Sequence, residues 1–384
     1  MHYLALPKNY NTMKKIFVSA ALLGLIFSAQ AQKYEFQTVT DLEALPVISQ
    51  GNTGTCWSFS TSSFLESEVI RLTGKKIDLS EMYQVRNTYP KKAENYVMRQ
   101  GKAQFGEGGL AHDVINSVAD YGLVPNSVFT GLNGTSETFN HAEMVAVIES
   151  MLKTYAENPG KKLSPNWKKA IDAMLDIYIG KNVTEFTYEG KKYTPKSFQA
   201  MTKINPKDYV TITSFTHTPN YGTFILNVPD NFSNGSFYNL PLEEYIANID
   251  NALANGFTVE LDCDVSEPTF SGKYGVAVIP NDDADTKTIL TEIKPEKAIT
   301  PEYRQAEFEN LSTQDDHLMH IVGKVKDQNG NIYYKVKNSW GTDPNRVANG
   351  GYVYMSVPYM KLKSISVLVH KDALQKDTRK KLGL

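Results

Sequence analysis

The feature that most constrains the fold is a change of hydrophobic period along the chain. Before residue 256, apolar side chains recur at three- and four-residue intervals, the spacing that gathers them on one face of a helix. Trp57, Phe59, Phe64, Leu65, Val69, Ile70 and Leu72 follow it, and Gly74 is the expected stop. The same pattern predicts helices over 111–121, 142–155, 167–179 and 242–255. Residues 186–193 read as a hairpin and 208–227 as β-rich sequence. From Gly256 onward the period is two, so 257–263, 320–326, 332–337, 351–356 and 364–369 read as strands, with Asn329-Gly330 as a hairpin turn. The expected fold class is α+β: a mainly helical lobe with insertions over 32–255, set against a mainly β, barrel-like lobe over 256–384.

Composition narrows the functional classes. A chain of 384 residues with 41% hydrophobic and 21% charged residues buries a full core and is neither disordered nor fibrous. Its formal net charge of -2, with no basic block beyond Arg379-Lys380-Lys381, leaves no footprint for nucleic acid or an anionic membrane. Peptides or small molecules are the expected partners. Residues 13–32 combine a basic start, an apolar stretch over 16–27 and the small-x-small site Ala29-Gln30-Ala31. They predict a signal peptide over 1–31, with Met13 as an alternative start, and a mature protein exported to the periplasm or the exterior. The apolar stretch is shorter than a bilayer span requires, so no anchor is expected after cleavage.

The chemistry centres on Cys56, in the run Gln50-Gly51-Asn52-Thr53-Gly54-Thr55-Cys56-Trp57 at the mouth of the first helix. A thiol attacks an amide well only as thiolate. A helix N-terminus favours that charge, and an imidazole can take the proton and return it to the leaving amine. His320, followed by the apolar Ile321-Val322-Gly323, is the expected base, in preference to His317 three residues earlier. Asn338 would hold the imidazole in one tautomer, and the Gln50 side chain with the Cys56 backbone N–H would receive the oxyanion. The second cysteine, Cys263, lies in an alternating strand and reads as a buried structural thiol, so both thiols should be free. Asp315-Asp316-His317 and Asp282-Asp283-Ala284-Asp285 lack a second ligand group or a calcium-loop pattern. They read as solvated loops, and neither a metal nor a cofactor is expected, only a reduced thiol.

Gln50-Gly51-x-x-Gly54-x-Cys56-Trp57, Leu79-Ser80-Glu81, Gly108-Gly109 and Asn338-Ser339-Trp340-Gly341 together resemble the papain-like cysteine peptidases. Within them the chain is most similar to the bleomycin hydrolase or aminopeptidase C branch, on Tyr121-Gly122-Leu123-Val124-Pro125, Asp262-Cys263-Asp264-Val265 and His317-Leu318-Met319-His320. His320 stands much further from Cys56 than the about 130–150 residues of the compact pattern, which the branch's helical insertions explain. The resemblance implies a thiol aminopeptidase with Cys56 as nucleophile, His320 as base and acid, Asn338 as orienter, Gln50 as oxyanion donor and Trp340 shielding the His–Asn bond. It also implies a homo-oligomer, a ring-like hexamer in the branch, and a C-terminal arm whose carboxylate meets the substrate's amino terminus. Here the tail after Val369 is short and basic and lacks that arm's apolar ending. Asp262 and Asp264 stand near the substrate-facing wall by the same analogy, either to meet that amino terminus or as a solvated strand-end pair. Two other readings share these residues: an endopeptidase with an open cleft, and a non-catalytic peptide-binding protein.

Overall fold

The computed structural model describes residues 33–133 and 137–384; the expected signal peptide lies outside the described residues. A first strand, β1 (Gln37–Asp41), precedes the helices α1 (Cys56–Thr73), α2 (Glu81–Met98), α3 (Ala111–Tyr121), α4 (Ala142–Glu157) and α5 (Trp167–Tyr178). A hairpin of β2 (Phe186–Tyr188) and β3 (Lys191–Tyr193) leads to α6 (Pro195–Thr202). Then come β4 (Tyr209–Thr213), β5 (Thr223–Ile225), β6 (Ser236–Asn239), α7 (Leu242–Ala254), β7 (Val259–Cys263), β8 (Phe270–Ser271) and β9 (Val276–Ala277). The chain finishes with α8 (Pro301–Glu309), β10 (His317–Lys326), β11 (Ile332–Lys337), β12 (Tyr352–Ser356), α9 (Val357–Lys363), β13 (Ser364–His370) and α10 (Lys376–Leu382).

One large sheet organises the β lobe in the order β5-β6-β4-β13-β7-β10-β11-β12-β9-β8, with β1 added on β10. It is an open path rather than a closed barrel. Strands β4, β5 and β6, which the sequence places with the helical lobe, continue this sheet: β4 pairs antiparallel with β13. The β5–β6 connection is thereby anchored in the β lobe.

Helix α1 lies between the lobes, packed on β10, β7, α2 and α3. All its residues from Cys56 to Val69 are buried, including Ser58, Ser60, Thr61, Ser62 and Ser63. A helix enclosed on every side has no solvent face to fill with charge. Its small hydroxyls are instead bonded inward, Ser58 to the Glu81 carbonyl, Ser60 to the Glu260 carboxyl and Thr61 to the Trp57 carbonyl. Gly74 ends the helix in the left-handed conformation at φ 71°.

Helix α2 is absent from the sequence expectation. It carries Pro90 and buries Gln84, Arg86, Asn87, Thr88 and Lys92 as well as apolar groups, so no apolar stripe marks it. Its start is nevertheless written locally, since the Ser80 hydroxyl accepts from the Tyr83 N–H as an N-cap.

Candidate active site

Cys56 is the first residue of α1, and no acidic side chain stands in that helix's first turn to compete for the dipole's positive end. The backbone N–H groups of Trp57 and of Leu318 on β10 point at its sulfur. Burial pushes the thiol up to about 12, and the charges of Asp315 and Asp230 add to that. Helix and backbone donors therefore do not hold a standing thiolate against desolvation, and the proton needs an adjacent acceptor.

The loop before Cys56 is fixed from several directions. Gly51 sits at φ 66°, where a Cβ would come within 2.8 Å of the Phe139 carbonyl oxygen, so only glycine fits the approach. The Glu107 carboxylate accepts from the Thr53 hydroxyl at 2.8 Å and from the Gly54 N–H, while the Trp57 indole donates to the Glu107 carbonyl at 2.9 Å. Gln50 is joined to the β lobe through its N–H to the Ser339 carbonyl at 2.9 Å, and its Oε1 accepts from the Ser339 hydroxyl. Its amide nitrogen gives one hydrogen to the Thr53 carbonyl at 2.7 Å and keeps a second.

The expected pairing of His320 with Asn338 does not form; His317 takes that place. His317 Nε2 lies 2.8 Å from Asn338 Oδ1. The Ser339 N–H donates to the same oxygen at 2.7 Å, which fixes the amide with its carbonyl toward the ring. Nε2 therefore carries the hydrogen, and Nδ1 is the ring's acceptor. Trp340 covers the pair, its ring centroid 5.1 Å from the imidazole. Desolvation lowers the imidazole's pKa, and the Asn338 bond opposes it.

His320 faces the other way. Strand β10 begins at His317, not at His320, and residues an odd number apart in a strand point to opposite sides. His320 is wholly buried, its Nδ1 is 3.0 Å from the Ser63 hydroxyl, and Lys337 Nζ donates to that hydroxyl at 2.7 Å. Its pKa is driven well below the usual value, first by burial and then by the Lys337 charge. It lines an interlobe cavity of about 360 Å³ with Ser63, Glu66, Asp78, Glu81 and Lys337.

Other sequence expectations divide similarly. Cys56 and Cys263 are both free, and Cys263 is fully buried with its thiol toward the Asp264 carbonyl. Asp264 is no solvated strand-end residue: it accepts from the Ser266 hydroxyl and the Gln314 N–H, and stands 3.7 Å from Lys363 Nζ. Asp315 is half-buried rather than solvated, and its carboxyl faces that of the buried Asp262.

The comparisons with known proteins bear on the family and the fold. The Peptidase C1-like family profile matches residues 97–383, well over half of the chain. Aminopeptidase G of Lactobacillus delbrueckii subsp. lactis is 25% identical, covering 90% of this chain and 85% of its own length. Aminopeptidase C of Listeria monocytogenes is 24% identical over 86% of this chain and 81% of that protein. The crystal structure of PepW from Lactobacillus rhamnosis HN001 superposes with a TM-score of 0.72 at 17% identity, covering 97% and 92% of the two chains. Fold and site thus define a papain-like cysteine peptidase. The chain belongs to the Peptidase C1-like family, in its aminopeptidase C, or bleomycin hydrolase, branch.

Proposed function

We propose that the enzyme removes N-terminal residues from peptides through a thioester at Cys56, with His317 as base and acid, Asn338 as its orienter, and Gln50 with the Cys56 N–H as oxyanion donors. The observation that carries this assignment is the 2.8 Å bond between His317 Nε2 and Asn338 Oδ1, on the residue next to the Leu318 N–H that faces the thiol. Desolvation penalises either charge made alone, so the thiolate forms together with the imidazolium. The Cys56 proton passes to His317 Nδ1 as sulfur bonds to the carbonyl carbon. The imidazolium then protonates the leaving amine as the C–N bond breaks. Water, deprotonated by the same nitrogen, cleaves the thioester and returns the thiol.

This route draws on no metal or cofactor, only a reduced thiol. Hydrolysis of an aminoacyl-coumarin should need reductant, survive chelator, and vanish in Cys56→Ala; a wild-type enzyme silent on free-amine substrates would overturn the reading. Export is a further part of it, supported by the pattern of residues 13–32. A mature N-terminus at Gln32 in the extracytoplasmic fraction is the expected result, and an uncleaved cytoplasmic chain the contrary one. The family resemblance also suggests a hexamer, which sedimentation of the purified protein would distinguish from a monomer.

A further inference from the structure

An aminopeptidase must recognise a free α-ammonium, which lies about 2.5 Å from the carbonyl carbon under attack. The anchor for that charge must therefore sit in the wall beside the thiol. The last described residues do not supply it. Helix α10 is spent on α7: Thr378 donates to Glu244 and accepts from Asn248, and Lys381 pairs with Glu244 at 3.1 Å.

The β5–β6 connection stands there instead. It leaves the sheet at Leu226, turns through Pro229 and Asp230, and returns by Gly235 to β6. The buried Asn231 holds the turn, its amide donating to the Leu226 and Gly235 carbonyls at 2.8 and 3.1 Å and accepting from the Gly235 N–H at 2.7 Å. On one side the connection rests on the helical lobe, through Ser233 to His112 at 2.9 Å and Phe232 over the Lys92 ammonium. The Asp230 carboxylate lies directly over Gly108, where a Cβ would stand 1.9 Å from Oδ2. On the other side the Asp230 N–H points at the Asp315 carboxylate, which precedes β10. One tight turn thus bridges the two walls of the cleft, next to Gly109 and the Trp57 ring.

Three carboxyl groups meet at this bridge. Asp262 is 1% exposed, pairs across the sheet with Leu318, and has an oxygen, Oδ1, with no hydrogen-bond donor among the described residues. It faces Asp315, whose Oδ2 likewise has no donor among the described residues. Burial is the first cause that raises both, and neighbouring acids add to it, Asp315 and Glu260 for Asp262, Asp230 and Asp316 for Asp315. Lys92, donating to the Gly108 carbonyl, offsets Asp230. The bridge thus sets a cluster of acidic side chains close to the thiol, the complement of an ammonium.

We propose that the Asp230 turn closes the cleft just beyond the N-terminal residue of the substrate, and that Asp230 with the Asp262–Asp315 pair binds its α-ammonium. An internal loop of this chain then enforces exopeptidase action. This rests on the aminopeptidase reading and deepens it.

The test compares kcat and KM of the full-length protein on an aminoacyl-coumarin, its N-acetylated twin, and an N-acetylated dipeptidyl-coumarin with arginine penultimate to the scissile residue. Wild type should cut only the first. Asp230→Asn should raise KM for it by about tenfold or more, the value of one hydrogen bond to a charge, with kcat changed far less, and should narrow the preference over the acetylated twin. Asp315→Asn, at the half-buried rim, should act in the same direction and serves if Asp230→Asn does not fold by circular dichroism. Unchanged free-amine preference in a folded variant overturns the proposal while leaving the peptidase reading intact. Cleavage of the acetylated arginine substrate by wild type also overturns it, assigning the carboxylates to a basic side chain. Silence of wild type on all three is failure of the peptidase reading itself.

Discussion

Two histidines three residues apart on β10 have opposite surroundings. At the cleft, His317 is bonded to one neutral amide, covered by Trp340, and one residue before the Leu318 N–H that faces the thiol. In the interlobe cavity, His320 adjoins Ser63 and Lys337, near Glu66, Asp78 and Glu81, whose carboxylate oxygens lie within 4.8 Å of one another. The cleft contains groups whose proton has somewhere to go. The cavity contains titratable groups that oppose one another's shifts: Lys337 opposes the upward push of burial on Glu66, and the acids oppose the downward push on Lys337. Buried titratable groups therefore mark both catalysis and packing in this molecule, and only the partner of each group separates the two.

The sharpest way to break the comparison is to remove each imidazole. His317→Ala should lower kcat/KM by about a thousandfold, the scale of a lost general acid–base group. His320→Gln should stay within about threefold of wild type in turnover while losing about 1–2 kcal/mol of stability. The opposite pattern in coumarin-release assays and denaturant melts would return the base to His320. Lys337→Met tests the cavity side by itself. Burial raises Glu66 and Glu81, so removing their cation should cost about 1–3 kcal/mol, the scale of a buried donor lost from its hydrogen bonds. A loss of about 3–5 kcal/mol in urea melts, the cost of a buried charge left unpaired, would show that those acids are ionised beside Lys337.

The pattern of periods carried much of the architecture. Ala111–Tyr121 and Ile332–Lys337 fall where the spacing places them, because each presents one apolar face to a core and its other face to a different environment. Helix α2 was not legible, since a helix buried on polar as well as apolar sides has no stripe. The nucleophile, orienter and oxyanion loop were readable as local motifs. The base was not, because choosing between His317 and His320 depends on where β10 starts and hence on its register with Cys263 and Asp262. Asp230 could not be found from the sequence at all: its role arises from a loop anchored in one lobe resting on a glycine of the other.

Two pH profiles sharpen the comparison with smaller effects. The resting cleft works with a neutral imidazole, and burial lowers the His317 pKa, so the acid limb of kcat/KM should fall below pH 6.5, the ordinary histidine value. A limb at or above that value would remove the desolvated imidazole from the rate. In the cavity, burial raises Glu66 to about 8 against an ordinary 4.5. Between those values the native state keeps a proton that the unfolded chain has released, so the contribution of Glu66 is fully present below pH 4.5 and is lost as pH rises toward 8. Glutamine carries no such proton, so Glu66→Gln should melt progressively higher than wild type as pH is raised from 5 to 8, by at most about 1.4 kcal/mol per unit. Parallel melting curves would mean that Lys337 already keeps Glu66 ionised, and that the cavity stores an ion pair rather than a proton.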